Sequence, residues 1–390
     1  MGFRDVSNVV GDLARLGMVV ARKMASNSLA DERVLAPYMV SELVGRIHPR
    51  RIKVRVAEIK EETYTTKTFR LAPVDEPFPP FRAGQFVSLF LTIDGVQTSR
   101  PYTISSPPTR RGHVDITVRK MVNGFVSHHL FDRVTVGDNF ELSDPAGCFY
   151  QDPLVDEEQV VFLAGGCGIT PFMSMIRNAA DTKQNLHMHL IYGSRVPGDV
   201  IFGNELAGLA SSMKNLEFNV VISEPPAGYE GLTGFLDAQL IEKLVGDVTG
   251  KTFFVCGPHA MYTLCLDALE KLGKPRRRVK RELSGPLPDI TLVEGWPEKL
   301  DGREEFAVSI EGTGKAFKAR CGEPLLNSLE RNGSGVDALC RSGECGVCRT
   351  RLVKGEVFMS PSVSLKKADA IFGYIHPCAS YPMSDVTIRL

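Results

Sequence analysis

The stretch Cys340-Arg-Ser-Gly-Glu-Cys345-Gly-Val-Cys348, answered by Cys378 after twenty-nine further residues, carries four of the chain's nine cysteines. Three closely spaced cysteines and one remote cysteine form the plant-type pattern for a two-iron, two-sulfur (2Fe-2S) cluster, in which each iron takes two thiolates. A short loop lets three sulfurs converge. Ser342, Gly343 and Gly346 are small enough for backbone N–H groups to approach the cluster sulfides, where hydrogen bonds help to set the potential. Structural zinc usually shows two paired short spacings, which this three-plus-one arrangement lacks. Cys340, Cys345, Cys348 and Cys378 are therefore the expected ligands. The cysteines at 148, 167, 256, 265 and 321 stand singly, and an odd total does not suit a closed disulfide framework. A reducing, cytoplasmic compartment is expected.

Around this loop, residues 304–390 show strands near Phe306–Glu311 and Val386–Leu390 and a helix near Pro324–Arg331, one small domain. Residues 284–303 hold Pro286, Pro288 and Pro297 and read as an interdomain linker; the basic run Lys274–Lys280 before it reads as a solvated face. Residues 154–283 alternate apolar strands (Val160–Ala164, His187–Tyr192, Phe218–Ser223, Thr252–Cys256) with helical segments, the pattern of an α/β parallel sheet. Residues 51–153 carry short β-rich runs, Val54–Ile59, Phe86–Ile93 and Val114–Val118, between proline and glycine turns, which predicts a small antiparallel β-barrel. Residues 1–50 read as two helices, an extension.

Two constellations precede the cysteines. Arg100-Pro101-Tyr102-Thr103 follows a barrel strand and puts Arg100 and Tyr102 on one face. An arginine pairs with a flavin phosphate, a tyrosine packs on the isoalloxazine or ribityl chain, and the Thr103 hydroxyl can bond flavin N5. Gly124-Phe-Val-Ser127 opens a helix whose backbone N–H groups suit a pyrophosphate. In Leu163-Ala-Gly-Gly-Cys-Gly-Ile-Thr-Pro-Phe172, Gly165, Gly166 and Gly168 allow a dinucleotide close to backbone amides, and Pro171 in the first helical turn loses no hydrogen bond. The order is not Gly-x-Gly-x-x-Gly. By itself, Cys256 in Val-Cys256-Gly257-Pro258 reads as a small buried hydrophobe.

Over residues 53–283 these motifs resemble the ferredoxin–NADP reductase superfamily, and over 53–390 its oxygenase-reductase and hybrid-cluster-protein-reductase type, with a C-terminal plant-type ferredoxin. The resemblance implies a flavin on a six-stranded barrel, a β-grasp ferredoxin domain, and FAD rather than FMN, because Gly124 and Ser127 match the pyrophosphate turn. It places Val118 and Lys120 on a strand beside the flavin. It assigns Gly165, Gly166, Gly168, Thr170 and Pro171 to the nucleotide turn, and Cys256, Gly257 and Pro258 to the hydride-transfer position. Thr103 stands where the family more often has serine, which keeps the hydroxyl. Glu224 stands where NADPH users often carry arginine and would repel a 2′-phosphate, so NADH is expected rather than NADPH; Ser194 and Arg195 lie within reach of the ribose or pyrophosphate.

The three sites have one chemical logic. NADH gives two electrons as hydride, an iron–sulfur cluster carries one, and a flavin converts between them. The expected function is an NADH-dependent oxidoreductase that passes electrons through FAD and the cluster to a separate oxygenase, demethylase, desaturase or reductase, the linker letting the ferredoxin unit swing. One alternative is a flavin reductase acting on a small molecule with an auxiliary cluster; another is a redox-sensing or relay subunit with little free NADH turnover. Lys plus Arg and Asp plus Glu each total 46, which gives no reason to expect nucleic-acid binding. No run of about eighteen apolar residues predicts a transmembrane segment. Residues 1–50 are expected to pack on the body or to dock a partner or membrane surface. His128 and His129 are read as surface or packing residues.

Overall fold

The computed structural model describes residues 51–282, 289–360, 363 and 365–390, so the expectations for residues 1–50 and 284–288 lie outside the described residues. Its first sheet holds β1 (Ile52–Thr63), β2 (Thr66–Pro73), β3 (Phe86–Ile93), β4 (Val96–Thr103), β5 (Val114–Arg119) and β6 (Asn139–Leu142), with α1 (Phe125–Asp132) before β6. All pairs are antiparallel in the order β4-β3-β6-β1-β2-β5, and an Ile104–Ile116 bridge brings the chain after β4 onto β5, the two ends of the sheet. The alternation is plain in β1, where Ile52, Val54 and Val56 are buried and the residues between them exposed. Phe69, Leu71, Val87, Leu89 and Ile116 complete that core.

The second sheet is parallel, in the order β10-β9-β8-β7-β11-β12. It is built from β7 (Gln159–Gly165), α2 (Thr170–Thr182), β8 (His187–Ser194), α3 (Gly203–Ser212), β9 (Leu216–Ile222), β10 (Leu232–Thr233), α4 (Ala238–Val245), β11 (Lys251–Cys256), α5 (His259–Lys271) and β12 (Val279–Glu282). The chain runs outward from β7 through β10, then returns to place β11 on the other side of β7. That reversal lies at the carboxyl ends of β7 and β11, the place where open α/β sheets bind their ligands. The basic run read as a solvated face ends in β12, and Lys280 Nζ pairs with Asp156 Oδ2 at 2.5 Å.

The third unit comprises β13 (Glu305–Ile310), β14 (Ala316–Arg320), α6 (Leu325–Arg331), β15 (Thr350–Lys354), β16 (Val357–Met359), α7 (Lys367–Ile371), β17 (Tyr374–Ile375), β18 (Ser380–Pro382) and β19 (Val386–Arg389). Its main sheet is ordered β14-β13-β19-β15-β17, with β13 and β19 parallel, and Leu325 and Leu329 of α6 share its core, a β-grasp arrangement. The described part of the expected linker is packed rather than free. Ile290 and Trp296 are buried with Cys321 and Tyr381, and Trp296 Nε1 donates to Leu300 O at 2.7 Å. Prolines suggested a tether, but the apolar residues among them found a face of the ferredoxin unit to cover.

Trp296 is the chain's one tryptophan, so its emission reports on this packing. The native protein is expected to emit at short wavelength and to red-shift in step with loss of cluster absorption on denaturation; solvent-like emission in the native state would contradict the packing. Trp296→Ala should cost about 3–5 kcal/mol of that unit's stability, read as an earlier bleaching midpoint in urea.

Candidate active site

The Arg100–Thr103 segment is the last half of β4. Arg100 Nη1 donates to Thr98 Oγ1 at 2.8 Å and to Ser99 O at 2.7 Å. Burial, then the nearby Arg341 guanidinium, lowers Arg100 to about 10, with Glu330 pulling the other way, so it stays cationic at neutral pH. Pro101 pairs with Ser88 across β3–β4. Tyr102 packs on the barrel core, and burial raises its phenol. Thr103 Oγ1 donates to Glu282 Oε2 at 2.9 Å.

Glu282 ends β12 and is paired in register with Cys256 of β11, so one carboxylate touches the flavin motif and adjoins the nicotinamide motif. Burial, with a smaller contribution from Glu344, pushes it up to about 8, and its hydrogen bond from Thr103 works against this. The sequence reading missed it because it lies between a run taken as solvated and a segment taken as linker. Cys256 itself is only 1% exposed and shares a core with Phe162 and Phe254, while the Tyr262 hydroxyl lies against it and accepts from Gly257 N at 3.4 Å.

The glycines of the nucleotide turn also meet neighbouring protein. A Cβ on Gly168 would collide with Cys256 O and Gly257 N, and one on Gly165 with Met261 and Pro258. These two glycines therefore let the β7 and β11 turns pack against each other, and Gly166, at φ +51°, faces the Arg119 guanidinium. A 3-10 turn, Gly166–Ile169, intervenes before α2; Thr170 Oγ1 donates back to Cys167 O at 3.1 Å, and Pro171 lies in the first turn of α2. Pro258 caps α5.

On β5, Val118 points into the barrel core, leaving its backbone for any cofactor contact. Lys120 Nζ is held by Asp132 Oδ1 at 2.7 Å. The intervening Arg119 is the side chain that reaches the nucleotide turn: it pairs with the buried Asp199, which also accepts from Thr63 Oγ1 at 2.8 Å and Thr65 Oγ1 at 2.6 Å. Strand alternation, Val118 inward and Arg119 outward, was the available signal. Gly124 caps α1, where Ser127 Oγ donates to Gly124 O at 3.3 Å and accepts from Met121 N at 3.1 Å, shaping the turn at the helix N-terminus. Ser194 Oγ lies 3.2 Å from both Val196 O and Asp199 O, holding the turn after β8. Arg195 Nε is 3.6 Å from Glu224 Oε2, an exposed pair that brings the two residues of the expected ribose region together.

The four cysteines come together, with Cys340 against both Cys345 and Cys378. Cys348 Sγ and Cys378 Sγ are 3.4 Å apart, and Cys340 Sγ accepts from Cys345 N at 3.3 Å and Ser342 N at 3.5 Å. Four convergent thiols fit two irons with two thiolates each. Arg341, Gly343 and Gly346 all take positive φ, curling the loop. For Arg341 that conformation is unusual, and its guanidinium is anchored by Glu330 at 2.6 Å and 3.0 Å and by Asn327 Oδ1 at 2.8 Å. His376 Nδ1 donates to Gly343 O at 2.8 Å from behind.

The cluster loop is seated on the flavin barrel. Ser88 Oγ donates to Leu339 O at 2.7 Å, Ser99 Oγ to Ala338 O at 3.0 Å and Thr98 Oγ1 to Glu330 Oε2 at 2.9 Å. Arg100, Arg341 and Glu330 thus place two cations about one anion, and the surplus positive charge fits a flavin phosphate.

Between its ordinary value of 4.5 and about 8, Glu282 holds a proton in the folded chain that it has lost in the unfolded one. Its contribution to stability therefore falls as pH rises through that window. Glu282→Gln keeps the partner for Thr103 and removes the titration. Its melting temperature relative to wild type should be higher at pH 9 than at pH 6, by thermal denaturation of the FAD-loaded protein; a pH-independent difference would refute the assignment.

Three family models cover these sites: an oxidoreductase FAD-binding domain over residues 53–150, an oxidoreductase NAD-binding domain over 162–267 and a 2Fe-2S iron-sulfur cluster binding domain over 308–383. The chain is 30% identical over 346 residues to the glycine betaine monooxygenase reductase subunit of Pseudomonas aeruginosa, covering 86% of this chain and 94% of that one. It is 31% identical over 339 residues to NADH oxidoreductase HCR of Escherichia coli, covering 86% and 97%. The solved structure of phthalate dioxygenase reductase shares the fold with a TM-score of 0.66 at 23% identity, covering 87% of this chain and 98% of that one. With FAD, NAD and 2Fe-2S domains in that order, the chain belongs to the ferredoxin–NADP reductase superfamily, as a flavin iron–sulfur oxidoreductase with a C-terminal ferredoxin domain.

Proposed function

We propose that the protein oxidises NADH and delivers single electrons through FAD and its cluster to a separate terminal oxygenase component. The observation that carries this reading is the seating of Ala338 and Leu339, immediately before the first cluster cysteine, on the serines of the two strands that lead to Arg100–Thr103. Relatives named as monooxygenase reductases support an oxygenase as acceptor. Preference for NADH follows from Glu224 and its pairing with Arg195. Nine free thiols support a reducing, cytoplasmic setting, and among the described residues no helix is long and apolar enough to cross a membrane. A docking role for residues 1–50, at a partner or a membrane surface, stays part of this reading.

The chain's own residues have distinct tasks. Arg100 binds and orients the flavin phosphate, and the N-terminus of α1 takes the second phosphate. Arg119, released from Asp199, meets the nicotinamide dinucleotide at the Gly165–Gly168 turn. Thr103 holds a proton at Oγ1 against Glu282 Oε2, and the Glu282 carboxyl, pushed up to about 8, would be mostly protonated at neutral pH, its ionised fraction being the form able to take up a proton beside the flavin site. Cys340, Cys345, Cys348 and Cys378 would hold the cluster. The bound flavin supplies exchange between hydride and single-electron chemistry.

Cys345→Ser should leave NADH-dependent ferricyanide reduction near wild type and reduce electron delivery to a protein acceptor at least about 100-fold, a barrier change of roughly 2.7 kcal/mol. Retained delivery would favour a flavin reductase with an auxiliary cluster. Glu224→Arg should raise kcat/KM for NADPH relative to NADH by about tenfold or more, because a repulsion becomes an ion pair with the 2′-phosphate; an unchanged ratio would remove Glu224 as the discriminating residue.

A further inference from the structure

We propose that electrons leave from the face formed by α7 and the Cys348 end of the cluster loop, and that this face receives an acidic acceptor protein while the ferredoxin unit stays seated on the barrel. The inference rests on the reading that a separate protein takes the electrons. The two ends of the loop face different surroundings. Before Cys340 the chain is bonded to Ser88 and Ser99 of the barrel, so that approach is covered. Beyond Cys348, Arg349 Nη1 reaches Asp369 Oδ1 of α7 at 2.8 Å, which brings α7 against the loop, and the same guanidinium lies 4.5 Å from the Tyr374 ring centre.

This second side has an apolar centre and a basic surround. Ile371 is 80% exposed and Phe372 65%, although both are large hydrophobic residues, and Val347, inside the loop between Cys345 and Cys348, is also exposed. Lys366 and Lys367 are exposed at the start of α7, and Arg351 is exposed on the strand that follows Arg349. The one acid of α7, Asp369, is buried and already paired with Arg349. In a chain of zero formal charge, three exposed cations, Lys366, Lys367 and Arg351, against the single exposed acid Glu344 of the loop, accompany exposed aromatic and aliphatic residues beside a cluster ligand, a local feature that fits an acidic surface. Opposite charges would speed and orient the encounter, and contact between Val347 and the acceptor would shorten the path from Cys348. Transfer moves one electron from the reduced cluster to the acceptor, NADH being the source, with no bond made or broken.

The probes are cytochrome b5, an acidic haem protein, and the basic cytochrome c, each titrated calorimetrically into the FAD- and cluster-loaded reductase at low ionic strength. Cytochrome b5 should bind, more weakly as salt is raised, and cytochrome c should not compete. The double variant K366E/K367E should weaken cytochrome b5 binding about tenfold, roughly 1.4 kcal/mol, and Phe372→Ser should weaken it with little change in salt dependence. K318E/R320E makes the same charge change on β14, at the opposite edge of the sheet from β17, and should leave binding near wild type. In all variants NADH should bleach flavin and cluster at wild-type rates. Equal weakening by K318E/R320E, or unchanged binding in K366E/K367E and Phe372→Ser, would overturn the proposed face. Failure of NADH to bleach the cluster in the wild type would instead sink the electron path on which the proposal rests.

Discussion

One carboxylate, Glu330, holds the flavin barrel and the cluster loop in register. Its two oxygens take the Arg341 guanidinium at 2.6 Å and 3.0 Å, and one also accepts from Thr98, whose oxygen in turn accepts from Arg100. The Arg341 and Glu330 side chains are 4% and 8% exposed, so neither can exchange its partner for bulk water. Removing one member of such a pair strands a charge, at roughly 3–5 kcal/mol, comparable with much of a domain's net stability. The same chain of contacts runs from the arginine next to the first cluster cysteine to the arginine proposed for the flavin phosphate. Anything that shifts the barrel strand is therefore felt at the cluster loop. That is a reason for polar groups where an apolar interface would be equally stable.

The nucleotide side solves a related problem with absence of side chains. Gly165, Gly168 and Gly257 let two turns from neighbouring parallel strands lie in backbone contact, which a Cβ at any of them would prevent. The result is a compact floor at the reversal of strand order, with Glu282 on one flank and Arg119 on the other. Both reach it from elsewhere: Glu282 from the edge strand and Arg119 from the barrel. Close packing of the turns fixes the backbone there, and the two charged side chains are held beside it by Thr103 and Asp199.

Local patterns carried much of this. The cysteine spacing, the alternation in β1 and the strand–helix alternation after Asp152 are short-range signals, and each element they suggested is present within a few residues of its expected bounds. What stayed hidden depends on pairings distant in sequence. Glu282 gains its meaning from Thr103, 179 residues away, and Glu330 from Thr98, 232 residues away. Trp296 and Ile290 sit among prolines that suggested a tether, and nothing local says that a face of the ferredoxin unit lies open to receive them. The glycines of the nucleotide turn were legible as glycines, but the backbone they accommodate belongs to another strand.

The packed linker and the seated loop bear on how a two-electron donor and a one-electron carrier are joined. A ferredoxin unit that swung between flavin and acceptor would have to break the Ser88, Ser99, Thr98 and Arg51–Asp337 bonds at each cycle. At about 1 kcal/mol net for each serine bond, about 1.5–3 kcal/mol for the Thr98 bond to the Glu330 carboxylate, and little for the exposed ion pair, the total is surmountable, but the hydroxyls and the polar side of Glu330 would need rehydration on every release. Staying seated avoids that cost and keeps the loop on the strands that lead to Arg100–Thr103 between deliveries. It then requires a second approach to the cysteines, away from the barrel, and the chain has one where Arg349 ties α7 to the loop. A fixed relay with separate sides for entry and exit is thus the arrangement most consistent with where the hydrogen bonds have been placed.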